Sequence, residues 1–219
     1  RNLHFTNTFH SFSKNKRKAS LFFHIFVVKQ FLIPIKHFII MKHPLSQFQY
    51  CPKCSSPYFA VNNEKSKKCA DCGFVYYFNP SSATVALILN EKNELLVCRR
   101  AKDPAKGTLD LPGGFIDMNE TGEEGVAREV LEETGLKVKQ AIYQFSLPNI
   151  YVYSGFPVHT LDMFFLCIVE DMSHFSAMDD VADSYFLPLG EINPDDFGLD
   201  SIRRGLISFL ARHIKNNLV

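Results

Sequence analysis

An α+β fold is predicted for this chain: an α/β/α sandwich with a mixed sheet, preceded by a small four-cysteine module. Three observations lead there. Short runs rich in β-branched and aromatic residues are interspersed with two stretches of helical periodicity. Two Cys-x2-Cys pairs, Cys51/Cys54 and Cys69/Cys72, are separated by 14 residues. The stretch Gly114–Leu136 gathers six glutamates and one aspartate into 23 residues.

With 219 residues, 46% hydrophobic and 21% charged, the chain has material for one good core and one small accessory module. Its net charge of +1 hides an asymmetry. Residues 1–40 carry seven of the 24 Lys/Arg and no acid, leaving 17 basic against 23 acidic residues, about −6, for the remainder. The acidic body offers no general nucleic-acid footprint.

Residues 1–40 are rich in Phe, Lys, His, Ile and Asn, begin with Arg and end just before Met41. The apolar run Leu21–Val28 is interrupted by His24 and lacks the small-residue cleavage site of a signal peptide. A transmembrane helix would need about 20 apolar residues, and Lys29 and Lys36 would each cost roughly 2.5–3.5 kcal/mol near its centre. A transit peptide would be richer in Arg and Ser. Met41 is therefore expected to be the true start, with 1–40 a poorly ordered or non-native extension, the protein cytoplasmic and no membrane involved.

Residues 49–78 form the cysteine module. Two thiolate pairs at this separation suit a tetrahedral Cys₄ site holding a structural Zn²⁺, a zinc ribbon, with Cys51, Cys54, Cys69 and Cys72 as ligands. Disulfides would need an oxidising compartment, and a redox role would need only one pair. Cys98 and Cys167 lie in apolar runs and read as core residues.

The main domain is expected over 81–217. ATVALILN (83–90) and ELLVCRR (94–100) are strand-like and joined by Glu91-Lys92-Asn93, a hairpin candidate. A polar loop, Lys102–Gly107, leads through Thr108–Pro112 to Gly113-Gly114, a Cβ-free turn where backbone could approach a ligand. Thr121 and Glu124 form a T-x-x-E capping box, and Gly135 sits where a left-handed residue ends the helix. Between them Val126, Ala127, Val130 and Leu131 make an apolar stripe, while Glu129, Glu132 and Glu133 share a neighbouring face. Like charges at this spacing repel, and only Arg128 lies among them. A divalent hard cation, Mg²⁺ or Mn²⁺, explains the cluster better than a solvated face does.

Further on, Lys137–Ser146 and Tyr151–Tyr153 are strand candidates flanking Leu147-Pro148-Asn149. His159–Glu170 is the clearest buried strand. The acidic loop Met178–Asp183 precedes Ser184–Leu187. Ile202, Leu206, Ile207, Leu210 and Ile214 mark a last amphipathic helix over about 201–216.

The acidic stretch also carries a resemblance. Gly114, Glu120, Arg128, Glu129, Val130, Glu132, Glu133, Gly135 and Leu136 match every fixed position of the Nudix hydrolase signature, G-x5-E-x7-R-E-U-x-E-E-x-G-U with U aliphatic. That resemblance implies an α/β/α sandwich and a metal-dependent pyrophosphohydrolase. Glu129, Glu132 and Glu133 would then bind the metal, one of them doubling as base, and Glu120 would pair with Arg128. Asp180 sits where some relatives place a further metal carboxylate; an ordinary solvated loop acid is the alternative.

A zinc ribbon followed by this domain resembles the NAD(H) pyrophosphatases, which yield NMN(H) and AMP. That subgroup carries Ser-Gln-Pro-Trp-Pro-Phe-Pro after the signature, whereas here Ser146–Pro157 reads SLPNIYVYSGFP and the chain has no Trp. Gly113, Gly114, Ser146, Tyr151 and Phe156 are the substrate-binding candidates, the aromatics being strand core in the alternative. NAD(H) is thus the first substrate expected and ADP-ribose the second, with NAD-capped RNA a related possibility and a homodimer implied. A non-catalytic nucleotide sensor with a nucleic-acid- or protein-binding ribbon, or a purely structural zinc adaptor, remain the alternatives of other classes.

Overall fold

The computed structural model describes residues 43–173, 175 and 181–216. The expectations for residues 1–40 and for Asp180 lie outside the described residues. Three small sheets carry the architecture. β1 (Phe59–Asn63), β2 (Ser66–Cys69) and β3 (Val75–Tyr77) form an antiparallel meander in the cysteine module. β4 (Ser81–Leu87), β8 (Phe156–Val169) and β7 (Val138–Tyr153) form the second sheet, with β8 central, parallel to β4 and antiparallel to β7. β6 (Leu109–Asp110), β5 (Glu94–Arg100) and β9 (Val181–Pro188) form the third, antiparallel throughout.

Among the described residues two α-helices cover opposite faces. α1 (Gly122–Thr134) sends Val126 and Val130 against Ala86, Ile88, Leu96 and Phe165. α2 (Asp200–Asn216) sends Ile202, Leu206 and Phe209 against Val85, Leu87, Leu95, Val97 and Phe164. Neighbouring residues of one strand, such as Val85 and Ala86 or Phe164 and Phe165, therefore serve different cores, as period-two side chains must. This is the expected α/β/α sandwich with a mixed sheet. Leu131 departs from the predicted stripe: it is exposed, and Leu136 beyond the helix end fills the core in its place. Cys98 and Cys167 are buried as expected.

α1 begins and ends as its sequence specifies. Thr121 Oγ1 accepts from the Glu124 N–H at 3.2 Å, and Glu124 accepts from the Thr121 N–H at 2.8 Å. Gly135 takes φ 70° and donates to Leu131 O. The Thr121 N–H holds the Glu124 carboxyl below its ordinary value, so this half of the box acts at neutral pH and is lost as pH falls through that lowered value. Thr121→Ala removes the other half; it should cost about 1 kcal/mol and lower the thermal midpoint by roughly 2–4 °C in calorimetry.

Two strand expectations are corrected. β4 and β5 do not form a full hairpin: they keep a bridge at Leu89 and Leu95 and then part into different sheets, because β4 pairs along its whole length with β8. Leu147-Pro148-Asn149 is not a break, since β7 runs through it for 16 residues. β7 is an edge strand of its sheet, where a proline's missing N–H leaves no ladder bond unmade. The acidic loop also ends sooner than expected, with Val181–Asp183 already in β9.

The tip of the β7–β8 hairpin reaches the cysteine module. Phe156 makes edge-on ring contacts with Phe48 at 5.5 Å and Phe78 at 5.4 Å. Gln47 Nε2 donates to Gly155 O across the same junction at 3.3 Å.

Candidate active site

The chain reaches α1 through a glycine turn that runs beside β4. Ala86 N–H donates to Pro112 O at 2.7 Å, Thr84 N–H to Gly114 O at 2.8 Å, and Ile116 N–H to Ser82 O at 3.1 Å. So close an approach leaves no room for side chains. A Cβ on Gly113, whose φ is 149°, would lie 2.1 Å from Thr84 O. A Cβ on Gly114 would lie 2.6 Å from the Glu129 carboxylate. Gly113→Ala should therefore destabilise the fold by about 3 kcal/mol, read as a lower urea midpoint at unchanged slope.

Opposite this turn, Arg128 organises the acidic face of α1. Its Nε and one terminal nitrogen grip both oxygens of Glu120 at 2.8 and 3.0 Å. The other terminal nitrogen donates to Glu129 at 2.9 Å and to Glu132 at 3.2 Å. Phe115 O accepts from the guanidinium at 3.0 Å, and Glu120 accepts from the Asp117 N–H at 2.9 Å. These contacts tie the loop to the helix. The Arg128 hydrogen bond holds Glu120 below the ordinary carboxylate value, while burial pushes Glu129 above it. Glu133 turns to the glycine turn, accepting from the Gly113 N–H at 3.1 Å.

Carboxylate oxygens are the donors that a hard divalent cation takes. Arg128 meets Glu120, Glu129 and Glu132, and Asp117 at 3.8 Å, with a single positive charge, so negative charge is in excess around it. Glu129 and Glu133 border a cleft of about 470 Å³ beside the Cβ-free cradle of Gly113 and Gly114. Glu132 lies outside that lining.

The cleft's other walls come from β4, β5, β7 and β8. Arg100 bridges them: it pairs with Asp110 at 2.5 Å and donates to Pro104 O at 2.7 Å and to the Tyr151 hydroxyl at 3.2 Å. The Phe115 ring meets Tyr151 edge-on at 6.1 Å. Burial pushes the Asp110 carboxyl up, against the pull of Arg100. Asn149, Thr160 and Asp162 also line the cleft, as does Lys102. Gly113, Gly114 and Tyr151 line it. Ser146 and Phe156 do not: Ser146 is absent from its walls, and Phe156 is packed at the hairpin tip. Arg100, Asp110 and Asn149 were not singled out from sequence. The signal available was a charge closing or interrupting an otherwise apolar run, as in LLVCRR and LDLP.

The cysteine module repeats one backbone design twice. Ser55 N–H donates to Cys51 O and Cys51 N–H to Ser56 O; Gly73 N–H donates to Cys69 O and Cys69 N–H to Phe74 O. Ser55 and Gly73 both take positive φ, 59° and 72°. The four sulfurs lie within 4.8 Å of one another, the one such group of ligand atoms among the described residues. Cys51–Cys72 and Cys54–Cys69 are each 3.7 Å apart, against about 3.8 Å for the edges of a tetrahedron with Zn–S of about 2.3 Å. N–H groups of Cys72 and Asp71 lower Cys69 to about 6, while its neighbour Cys54 is raised to about 12, so thiolate and thiol stand side by side in the cluster.

A glycine turn, an acidic helix locked by one arginine and sheets covered by a helix on each face define a Nudix-type protein. The NUDIX domain model matches residues 79–206, more than half of the sequence, and the chain belongs to that family. An ADP-ribose pyrophosphatase from Methanocaldococcus jannaschii is 44% identical over 75 residues, 33% of this chain and 44% of that protein. The NAD-capped RNA hydrolase NudC from Chromobacterium violaceum is 34% identical over 98 residues, 45% of this chain and 36% of that protein. The chain thus spans less than half the length of these curated relatives. A NUDIX hydrolase from Nitrosomonas europaea shares the fold, with TM-score 0.58 at 24% identity, covering 74% of this chain and 90% of that one. Among the described residues no helix is long and apolar enough to cross a membrane.

Proposed function

We propose that the protein hydrolyses the pyrophosphate bond of a nucleoside diphosphate linked to a second group, with NAD(H) as the first substrate. Water would add to one phosphorus, the bridging P–O bond would break, and NMN(H) and AMP would leave with release of a proton. The observation that carries this is the carboxylate cluster around Arg128 bordering a cleft with an aromatic wall. Glu129, Glu132 and Glu133 would hold Mg²⁺ or Mn²⁺, which when bound neutralises phosphate charge and acidifies a water. Glu120 and Arg128 fix the shape of the corner, and Asp180 is a candidate fourth carboxylate. Zn²⁺ on the four cysteines would be structural.

ADP-ribose is the second substrate, supported by the likeness to the Methanocaldococcus jannaschii enzyme. The likeness to NAD-capped RNA hydrolases adds RNA 5′ ends, although an acidic body favours small nucleotides over extended RNA contact. A homodimer would have an apolar surface at hand in Ile150, Val152 and Leu161, which are 49%, 54% and 41% exposed on one face of the β7–β8 hairpin. Six free cysteines suit a reducing cytoplasm.

The test is incubation of the protein with NADH, NAD⁺ and ADP-ribose side by side, with Mg²⁺, Mn²⁺ or EDTA, and chromatography of the products. NMN(H) and AMP formed faster than ADP-ribose is cleaved, and abolished by EDTA, are the expected result. Preference for ADP-ribose would reverse the order of substrates. No turnover of any of the three would favour a nucleotide sensor.

A further inference from the structure

The floor of the cleft holds two polar groups that the fold itself leaves unused. Asn149 on β7 and Thr160 on β8 face each other directly in the ladder. Both are buried, 9% and 4% exposed, and both line the cleft. The Thr160 hydroxyl is buried without a hydrogen-bond partner among the described residues, whereas the Asn149 side-chain amide makes no hydrogen bond to them and opens to the cleft. Buried polar groups without partners are rare in native proteins, and each unmade bond costs about 1–3 kcal/mol. The Thr160 hydroxyl is closed off behind the wall, and the Asn149 amide is the unengaged polar group that a molecule in the cleft can pair with. Asp162, two residues from Thr160 and on the same face, is already occupied by the Ser201 hydroxyl at 2.5 Å.

We propose that Asn149 reads the polar edge of a planar nitrogen heterocycle in the substrate. A side-chain amide presents one acceptor and one donor side by side. It matches a partner that presents a donor next to an acceptor: the amino–N7 edge of adenine, or a ring carboxamide. Tyr151 stands two residues along the same strand face, about 7 Å away, and supplies a surface for the ring. Its orientation is held by the Arg100 guanidinium on its hydroxyl and by the Phe115 edge. The subsite is thus separate from the carboxylate cluster and sorts substrates by their base rather than by their phosphates.

This subsite rests on the cleft being the nucleotide site, but not on turnover, so binding tests it. Calorimetry of the full chain compares AMP with inosine monophosphate, which has lost the amino donor, and nicotinamide mononucleotide with nicotinate mononucleotide, which has lost the amide donor. The wild type should prefer the first member of one pair by about tenfold, and that pair identifies whether adenine or the carboxamide is read. Asn149→Leu, similar in size and neutral, should erase the Asn149-dependent preference, and Asn149→Thr, a good strand former, should do the same. Erasure in the variants is the decisive readout, because an acidic cleft by itself disfavours nicotinate. An unchanged preference in both variants, or no preference and no binding by the wild type, overturns the proposal. Hydrolysis of NADH without such a preference overturns it alone; the preference without hydrolysis of any dinucleotide overturns the hydrolase function alone.

Discussion

Glu129→Gln should lower kcat/KM for whichever nucleotide the protein hydrolyses by about a thousandfold, roughly 4 kcal/mol of transition-state stabilisation. The carboxylate borders the cleft, lies against the Cβ-free cradle of Gly114 and shares one Arg128 nitrogen with Glu132. Glutamine keeps the shape and an oxygen for Arg128 but removes the charge that a divalent ion requires. Because burial already penalises the charged form of Glu129, the neutral replacement should leave the thermal midpoint unchanged or slightly higher. Steady-state kinetics over a range of Mg²⁺ concentrations, with a melting curve on the same sample, checks both halves. A loss below tenfold would mean that Glu129 only positions Arg128.

Cys69→Ser should take the zinc content from about one per chain to none. Cys69 is fully buried, is drawn toward the thiolate and stands 3.7 Å from Cys54 within the four-sulfur cluster. Three thiols and a hydroxyl make a far poorer site, and the apparent metal-linked stabilisation at stake is on the order of 10 kcal/mol. The module otherwise rests on a small core of Cys51, Phe59 and Cys69 with Phe74 and Tyr76, too little to fold alone. Released-metal titration should show the loss, and limited proteolysis should cut within 50–78 while sparing the body. A variant that keeps its zinc and resists cleavage would refute a four-cysteine site.

What the sequence revealed and what it hid divide along a physical line. The capped helix α1, the Arg128–Glu120 pair and the two cysteine turns are all made by residues close along the chain, at spacings that fix their geometry. Arg100 with Asp110, and Asn149 with Thr160, depend on strand register, which nothing local specifies. Asn149 was further concealed because Leu-Pro-Asn reads as a turn. Only the pairing of Pro148 with Leu161 on an edge strand shows that the chain stays extended there. Phe156 looked like a base-stacking ring for a related reason: its chemistry was right, but its place at the hairpin tip gives it to Phe48 and Phe78 instead.

That tip has a mechanical meaning. Tyr153, next to the turn, is two residues from Tyr151, and a strand is stiff over such a span of about 7 Å. The cysteine module contacts the far end of a hairpin whose near end forms the cleft wall, and is expected to act on it as a splint, while α1 is anchored independently in the sheet core. Loosening the splint should be felt as poorer grip on the substrate, a rise in KM, well before it is felt at the glutamates. A metal site remote from the reaction would thereby set how firmly the protein holds what it acts on.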